Sequence, residues 1–403
     1  MGWRFKGKEI KYIKQVLDND LRPKTKLSFN EKLEKLFSKK HKQKYAITAN
    51  SGTSTLHIAL NAFGVGHGDE VILPNLTVSM CGFAIWQCGA TPVYADVDQD
   101  TFNICPNDIE KKITKKTKAI MVVHIYGLMA DMTAINKIAK KYNLYVLEDC
   151  AQCFFGKNNY GQISGTVSDV GSWSFEGTKH ITTGDGGIVT TNNKALAVSM
   201  RRFGSAGYRN ITARNGRIRI NRDLFQNPKW KRHDRLAYNY RLSEISAAMG
   251  FAQLERINFF LNKRRSMGIK FLNFLKASKT KLLKAQKTPK KFYHSYFTFA
   301  CTFEGEKYGI SWQKFRKKFI SFGGDGIYAA WSLVSEEPPF SHAMKKGLYS
   351  GSMKLSSNYG WGITPKAKNL QKKIMQFTTN QKNNFEVTKQ VNALKKTLNY
   401  FEK

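Results

Sequence analysis

A lysine, an aspartate and a Ser-Gly-Thr turn stand where they could assemble a binding and proton-transfer site. Glu148-Asp149-Cys150-Ala151-Gln152 follows the apolar run Leu144–Leu147. Asp149 therefore ends a buried strand, a usual place for a ligand-facing group in an open α/β sheet. Lys179 closes Ser174-Phe175-Glu176-Gly177-Thr178-Lys179 and precedes Thr183-Gly184-Asp185-Gly186-Gly187, in a polar, Gly-rich loop between two strand-like runs. A lysine held there, partly desolvated and near other cations, has a depressed pKa and can act as an amine nucleophile. Asn50-Ser51-Gly52-Thr53-Ser54 reads as a strand-to-helix turn whose amides and hydroxyls point at an anion. Taken singly, these residues have ordinary roles: a helix cap, an N-cap, a solvated amine. Taken in order, they are the parts that pyridoxal 5′-phosphate requires, a Schiff-base lysine, a carboxylate for the pyridinium nitrogen and a phosphate cradle.

The elements that must position them alternate along the chain. Strand-like runs at Tyr45–Thr48, Glu70–Leu73, Thr91–Ala95, Ala119–Val123 and Leu144–Leu147 are interleaved with helical patterns over Thr53–Ala62, Ser79–Gln87 and Met132–Tyr142. Such alternation implies an α/β fold with a mostly parallel sheet flanked by helices on both faces. The near-continuous apolar run Ile120–Val123 suits a strand buried on both sides. Gly171–Phe175 and Gly187–Thr191 add two strands around the lysine loop. Beyond them, helices are expected at Ser243–Ile257, Asn262–Lys284, Trp312–Ser321 and Val387–Phe401, with a strand at His294–Phe303. Two domains follow: residues 1–255 as a large cofactor-binding domain, and residues 256–403 as a smaller α+β domain on which the N-terminal helix can pack.

The chain of 403 residues is 41 % hydrophobic and 13 % aromatic, enough for a packed core, which excludes global disorder. Its charge is unusual: 66 Lys and Arg against 29 Asp and Glu give +37. That balance favours anionic company, whether nucleic acid, an anionic membrane surface or a phosphorylated small molecule. Much of it lies between Arg201 and Arg241, where twelve basic residues face two acidic ones in a weakly periodic stretch that reads as a long loop. Six cysteines are too few for a disulfide scaffold at this length. Cys150 and Cys153 form a C-x-x-C with no second pair at zinc spacing, so no metal site is expected. His57, on an apolar helix, reads as a packed core residue, whereas His124 and His180 are candidates to line the site. No secretory signal and no membrane span is visible, and a cytoplasmic protein is expected.

The chain resembles the pyridoxal-phosphate-dependent sugar aminotransferases of the DegT/DnrJ/StrS family. The matching stretches are Asn50–Leu60, Gly68–Pro74, Gly89–Asp98, His124–Gly127, Glu148–Gln152, Ser174–His180, Thr183–Gly187 and Asn239–Glu244, in family order from about 44 to 256. The resemblance implies a fold-type-I PLP-dependent transferase that forms a homodimer with shared active sites. Lys179 matches the Schiff-base lysine, which also shuttles the proton. Asp149 matches the carboxylate that keeps the pyridine nitrogen protonated, and Gln152 the residue beside the cofactor's phenolic oxygen. Gly52, Thr53 and Ser174 match phosphate contacts, and Asn239 a phosphate contact donated by the partner subunit. Three positions depart from the pattern. Val78 stands where an aromatic often stacks on the ring, Asp185 where Glu is usual, and Cys150 where Ala is common.

The implied reaction has two halves: an amino donor, by family habit glutamate, leaves its amine on the cofactor, and a keto-sugar then accepts it to become an amino-sugar for surface polysaccharide. The acceptor implied is a nucleotide-linked 4-keto-6-deoxyhexose, with His180, Arg209, Arg214 and Lys231 as candidate substrate-binding residues. The stretches His294–Phe299 and Gly323–Trp331 resemble a perosamine-synthase-like branch. That branch keeps a second acceptor open, a free keto-sugar acid of the octulosonate type as found in lipopolysaccharide. A rival of another class is a basic nucleic-acid-binding protein that retains the fold; the intact Lys179, Asp149 and Gln152 set opposes it. Sugar dehydratases of the same family carry His at the lysine position, so lysine here favours amination.

Overall fold

The structure is a computed structural model that describes residues 2–21, 27–214, 222–341 and 363–402. After a short turn at Trp3–Phe5, helices α1 (Glu9–Leu17) and α2 (Phe29–His41) lead into strand β1 (Tyr45–Ala49). There follow α3 (Gly52–Ala62), β2 (Glu70–Pro74), α4 (Ser79–Gln87), β3 (Thr91–Ala95), α5 (Pro106–Lys111), β4 (Thr117–Val123), α6 (Met132–Lys141) and β5 (Tyr145–Asp149). Strands β6 (Val170–Ser174) and β7 (Gly187–Thr191) flank the lysine loop and precede α7 (Lys194–Gly204), the short α8 (Arg222–Gln226), α9 (Glu244–Glu255) and the long α10 (Ile257–Ser278). The remainder comprises β8 (Leu283–Ala285), β9 (Thr298–Phe303), α11 (Trp312–Ser321), β10 (Ile327–Ala329), α12 (Pro365–Lys373), β11 (Ile374–Thr378) and α13 (Asn384–Phe401).

The first seven strands form one sheet in the order β1-β7-β6-β5-β4-β2-β3. The run from β6 to β3 is parallel, and β7 is antiparallel to both β6 and β1. Alternation along the strands fills both faces. In β4, Ala119, Met121 and Val123 join the core under α3, α4 and α7, while Ile120 and Val122 join the core under α5 and α6. That two-sided burial explains why these strands read as continuous apolar runs. A second, antiparallel sheet in the order β10-β11-β9-β8 packs its aromatic face, Phe299, Phe303 and Phe377, against α10, α11 and α13.

Two segments cross the expected boundary at 256. The N-terminal helix α1 packs in a core that also takes Ile257, Phe260 and Leu261 from the start of α10. Tyr12, Ile13 and Val16 join the α2 and α9 core, and Trp3 packs edge-on to Phe259 at the start of α10. The chain beyond 256 also returns to the first sheet: Leu333, Val334 and Phe340 pack in its core with Trp86 and Tyr94. Polar ties hold that return. The Asn75 Nδ2 amide donates to Ser335 Oγ (2.9 Å) and Thr364 Oγ1 (2.8 Å), and the Asp96 carboxylate accepts the Lys366 and Ala367 amides at the start of α12. A carboxylate there meets the unpaired donors and positive end of the helix. Among the described residues, no helix is long and apolar enough to cross a membrane.

Candidate active site

The parallel strands β4 to β6 end on one side of the sheet, and a cavity of about 530 Å³ opens there. It gathers Gly52, Thr53, Val78, Asp149, Gln152, Ser174 and Lys179 from four separate stretches of chain. Apolar walls come from Leu56, Leu76, Ile125 and Phe297, with Met80, Trp331 and Gln376 alongside. A volume of this order accommodates a small organic ligand.

Asp149 ends β5 and is 3 % exposed. Among the described residues, its Oδ1 accepts the Ala151 amide (2.9 Å) and its Oδ2 only the Cys81 thiol (3.3 Å). A thiol is a weak donor, and among the described residues no cation pairs with this carboxylate. Burial accordingly pushes its pKa up from the ordinary value. The arrangement lacks a positively charged N–H donor, which a pyridinium nitrogen would provide.

Lys179 sits in the β6–β7 loop with its amide bonded to the Glu176 carbonyl (3.0 Å) and its Nζ 4.7 Å from the centre of the Phe297 ring. Desolvation lowers its pKa, and the charge of Arg264 adds to this; Glu176 and Asp149 act in the opposite sense. A fraction of the amine is thereby freed to act as a nucleophile or a proton carrier at lower pH than an exposed lysine allows.

The phosphate end is built by the first turn of α3. Ser51 caps the helix by accepting the Ser54 amide (3.0 Å), and the Ser51 carbonyl takes the Thr55 amide (3.2 Å). The amides of Gly52 and Thr53 remain without a protein acceptor among the described residues, at the cavity wall. Gly52 is required here by close approach: a Cβ would lie 2.7 Å from the Ser174 Cβ at the end of β6. Paired free amides at a helix N-terminus, with hydroxyls on Thr53 and Ser174, form an anion site. Gln152 accepts the Tyr126 amide through Oε1 (2.8 Å), which leaves its Nε2 donor for the cavity. Tyr126 adopts φ 59°, an uncommon left-handed conformation for a bulky residue that recurs at ligand sites. A buried carboxylate short of a cation, a half-buried amine and an anion cradle together fit pyridoxal phosphate. Bound there, the cofactor supplies an electron sink that stabilises negative charge developing on the carbon attached to the transferred nitrogen.

Other candidates lie elsewhere. His180 is buried, with Nε2 3.2 Å from the Ser295 carbonyl and its ring against Phe154; it does not line the cavity. His124 is likewise buried and bonds Glu148 at 2.8 Å. His57 is a core residue bonded to the Tyr240 hydroxyl (3.0 Å), and burial pushes its pKa down to about 4. Arg214 lies 5.8 Å from the Tyr45 ring centre, and neither it, Arg209 nor Lys231 lines the cavity. Part of that basic stretch, 215–221, is outside the described residues. Asn239 is exposed, near the exposed Leu236 and Tyr238, and does not line the cavity. Cys81, Tyr126, Phe297, Trp331 and Gln376 were not singled out by sequence. Tyr126 lies within His124–Gly127 and Phe297 within His294–Phe299, but nothing in either stretch distinguished the residue that faces the site.

The family model described as the DegT/DnrJ/EryC1/StrS aminotransferase family matches residues 4–345. The chain is 38 % identical over 291 residues to the GDP-perosamine synthase of Escherichia coli O157:H7, covering 72 % of this chain and 74 % of that protein. It is 39 % identical over 265 residues to the GDP-perosamine synthase of Caulobacter vibrioides, covering 65 % of each. The solved structure of the aminotransferase from Psychrobacter cryohalolentis has a TM-score of 0.84 and 26 % identity, covering 98 % of this chain and 97 % of that one.

Proposed function

The chain belongs to the DegT/DnrJ/EryC1/StrS aminotransferase family, whose members depend on pyridoxal phosphate, and from that premise we propose that it aminates a nucleotide-linked 4-keto-6-deoxyhexose, with glutamate as donor. The observation that carries the reading is the single cavity in which Lys179, Asp149 and Gln152 face the free amides of Gly52 and Thr53. Similarity to two GDP-perosamine synthases makes a GDP-linked sugar the first acceptor to try. Lysine at position 179 supports amination over dehydration.

In this reading each side chain has one task. The Gly52 and Thr53 amides, with the Thr53 and Ser174 hydroxyls, bind the phosphate and fix the ring's position. Asp149 holds a proton on the ring nitrogen, and its own burial makes that pairing strong. Gln152 Nε2 donates toward the phenolic oxygen, while Val78 covers a ring face. Lys179 takes the proton from the donor's α-carbon and returns it to the acceptor's sugar carbon. The apolar walls exclude water while charge is redistributed. The protein acts as a homodimer, in which Asn239 reaches the neighbouring subunit's phosphate. Arg209, Arg214 and Lys231 can serve the acceptor's diphosphate only across that interface.

The test is the visible spectrum of the protein with pyridoxal phosphate, before and after glutamate, beside Lys179→Ala. A lysine-linked band in the wild type that glutamate bleaches, absent in Lys179→Ala, is expected. The aminated enzyme is then offered GDP-linked and other nucleotide-linked keto-sugars and a free octulosonate-type keto acid, with the product's mass as readout. Amination of the free acid alone would overturn the nucleotide-sugar reading. A band indifferent to every amino donor would overturn the transfer itself.

A further inference from the structure

Three consecutive carbonyls, those of Gly177, Thr178 and Lys179, lie in a loop where neither helix nor sheet satisfies them. Two arginines from distant parts of the chain converge on them. Arg4, in the N-terminal turn, donates Nη1 to the Gly177 carbonyl (2.5 Å) and Nη2 to the Lys179 carbonyl (2.5 Å). Arg264, buried on α10, donates Nη2 to the Thr178 (2.5 Å) and Lys179 (3.3 Å) carbonyls and Nη1 to the Phe297 carbonyl (2.7 Å).

Both forks are themselves anchored. The Arg4 carbonyl accepts Gln253 Nε2 (2.9 Å) and Arg256 Nη1 (3.1 Å) from the α9–α10 junction. Arg264 stands 5.4 Å from the centre of the same Phe297 ring that Lys179 Nζ approaches. On the loop's other side, Glu176 accepts the Thr178 amide (3.0 Å) and hydroxyl (2.6 Å). Bringing two like charges together beneath a loop is unfavourable unless their donors are fully used, and here the planar forks match the row of carbonyls.

We infer that Arg4 and Arg264 are positioning residues that clamp the backbone of residues 177–179 and so hold the Lys179 amine at the cavity, over Phe297. The inference rests on the reading of Lys179 as the amine that captures the cofactor. Neither arginine touches the cavity's contents; both act through the loop backbone. A second consequence is electrostatic. The charged groups facing Lys179 are Glu176 and Asp149, which favour its protonated form, and Arg264, which opposes it; burial keeps the neighbouring Cys81 thiol neutral. Removing Arg264 therefore tips the amine toward protonation.

The experiment uses the full chain freed of cofactor. Pyridoxal 5′-phosphate is added across a pH series, the adduct is fixed with borohydride, and the labelled peptide is mapped by mass spectrometry. In the wild type the label belongs on Lys179. In Arg264→Met, capture is expected to slow on the order of tenfold at neutral pH, and its pH midpoint to move upward. Arg264→Lys, which keeps the charge and loses the fork, is expected to restore the midpoint but not the full rate. Arg4→Met tests the clamp independently and is expected to slow capture as well. Wild-type rate and pH midpoint in folded Arg264→Met and Arg4→Met would overturn the clamp while leaving Lys179 in its role. Label on a different lysine would overturn the reading of Lys179 itself.

Discussion

Strand β5 ends in two adjacent carboxylates that face opposite sides of the sheet and meet opposite treatment. Glu148 is fully buried and saturated: Oε2 accepts from His124 Nε2 (2.8 Å) and the Gly165 amide (2.7 Å), and Oε1 from the Val167 amide (3.1 Å) and the Ser168 hydroxyl (2.7 Å). Asp149, one residue on, has an amide and a thiol. The first acid ties the β5–β6 connection to the sheet and has no capacity left for a ligand. The second is left short of donors in a cavity. Burial alone does not mark a functional acid; the shortage of partners does.

The largest expected effect comes from breaking the under-satisfied side. Asp149→Asn cannot hold a proton on the ring nitrogen, and turnover is expected to fall about a thousandfold or more. The unloaded protein should at the same time melt no lower than wild type, because an uncompensated buried charge has gone. Steady-state kinetics and thermal melts of the same preparation check both halves. Glu148→Gln should do the reverse. Its amide group would meet amide and hydroxyl donors head-on, costing about 2–4 kcal/mol of stability, while the activity per folded molecule changes little. If Glu148→Gln lost activity as completely as Asp149→Asn without unfolding, the division of labour along β5 would be wrong.

Gly52 and Thr53 are the donor counterpart of Asp149, since their amides lack acceptors among the described residues. Gly52→Ala forces a Cβ to within 2.7 Å of the Ser174 Cβ, so the α3 turn must withdraw from β6. Overpacking of this kind costs about 1–3 kcal/mol, and cofactor affinity is expected to weaken about tenfold to a hundredfold. Equilibrium titration of the unloaded protein with pyridoxal phosphate measures it, and unchanged affinity would remove the α3 turn from the phosphate site.

Much of this was legible because the signals were local. The parallel strands announced themselves as apolar runs, and Ser51-Gly52-Thr53 as a helix start. The strands missed were β8, β10 and β11: two are three residues long, and β11, Ile374–Thr378, follows directly on a lysine-rich helix. The Arg4 and Arg264 forks were illegible for another reason. Each is separated from the carbonyls of residues 177–179 by at least 85 residues, and a backbone acceptor leaves no mark on side-chain identity. The basic stretch from 201 to 241 shows how little a charge count alone says. Its charge density suggested a ligand, yet Arg201 is spent on a buried pair with Glu34 (2.8 Å) and Arg202 on Asp234 (2.7 Å). Charge counts cannot distinguish a side chain that waits for a ligand from one that holds the fold.

The smallest effect sharpens the contrast from within. Replacing the thiol in Cys81→Ser gives Asp149 a stronger donor and makes its surroundings more like those of Glu148. Because burial holds the folded pKa of Asp149 above its ordinary 3.8, the native state keeps this proton longer than the unfolded chain does. Its contribution to stability is therefore present below 3.8 and is lost as pH rises through the folded value. Buried His41 and His294, both pushed down to about 3 from 6.5, act oppositely and favour the native state as pH rises through the same window. Wild-type melting alone thus mixes the two. The difference between wild type and Asp149→Asn cancels the histidines and should fall with rising pH. In Cys81→Ser the wild-type loss should shrink by about 1 kcal/mol, since a hydroxyl donor favours the ionised carboxylate. If the difference curve were flat, Asp149 would already be satisfied by Ala151 and Cys81, and the contrast between the two faces of β5 would collapse.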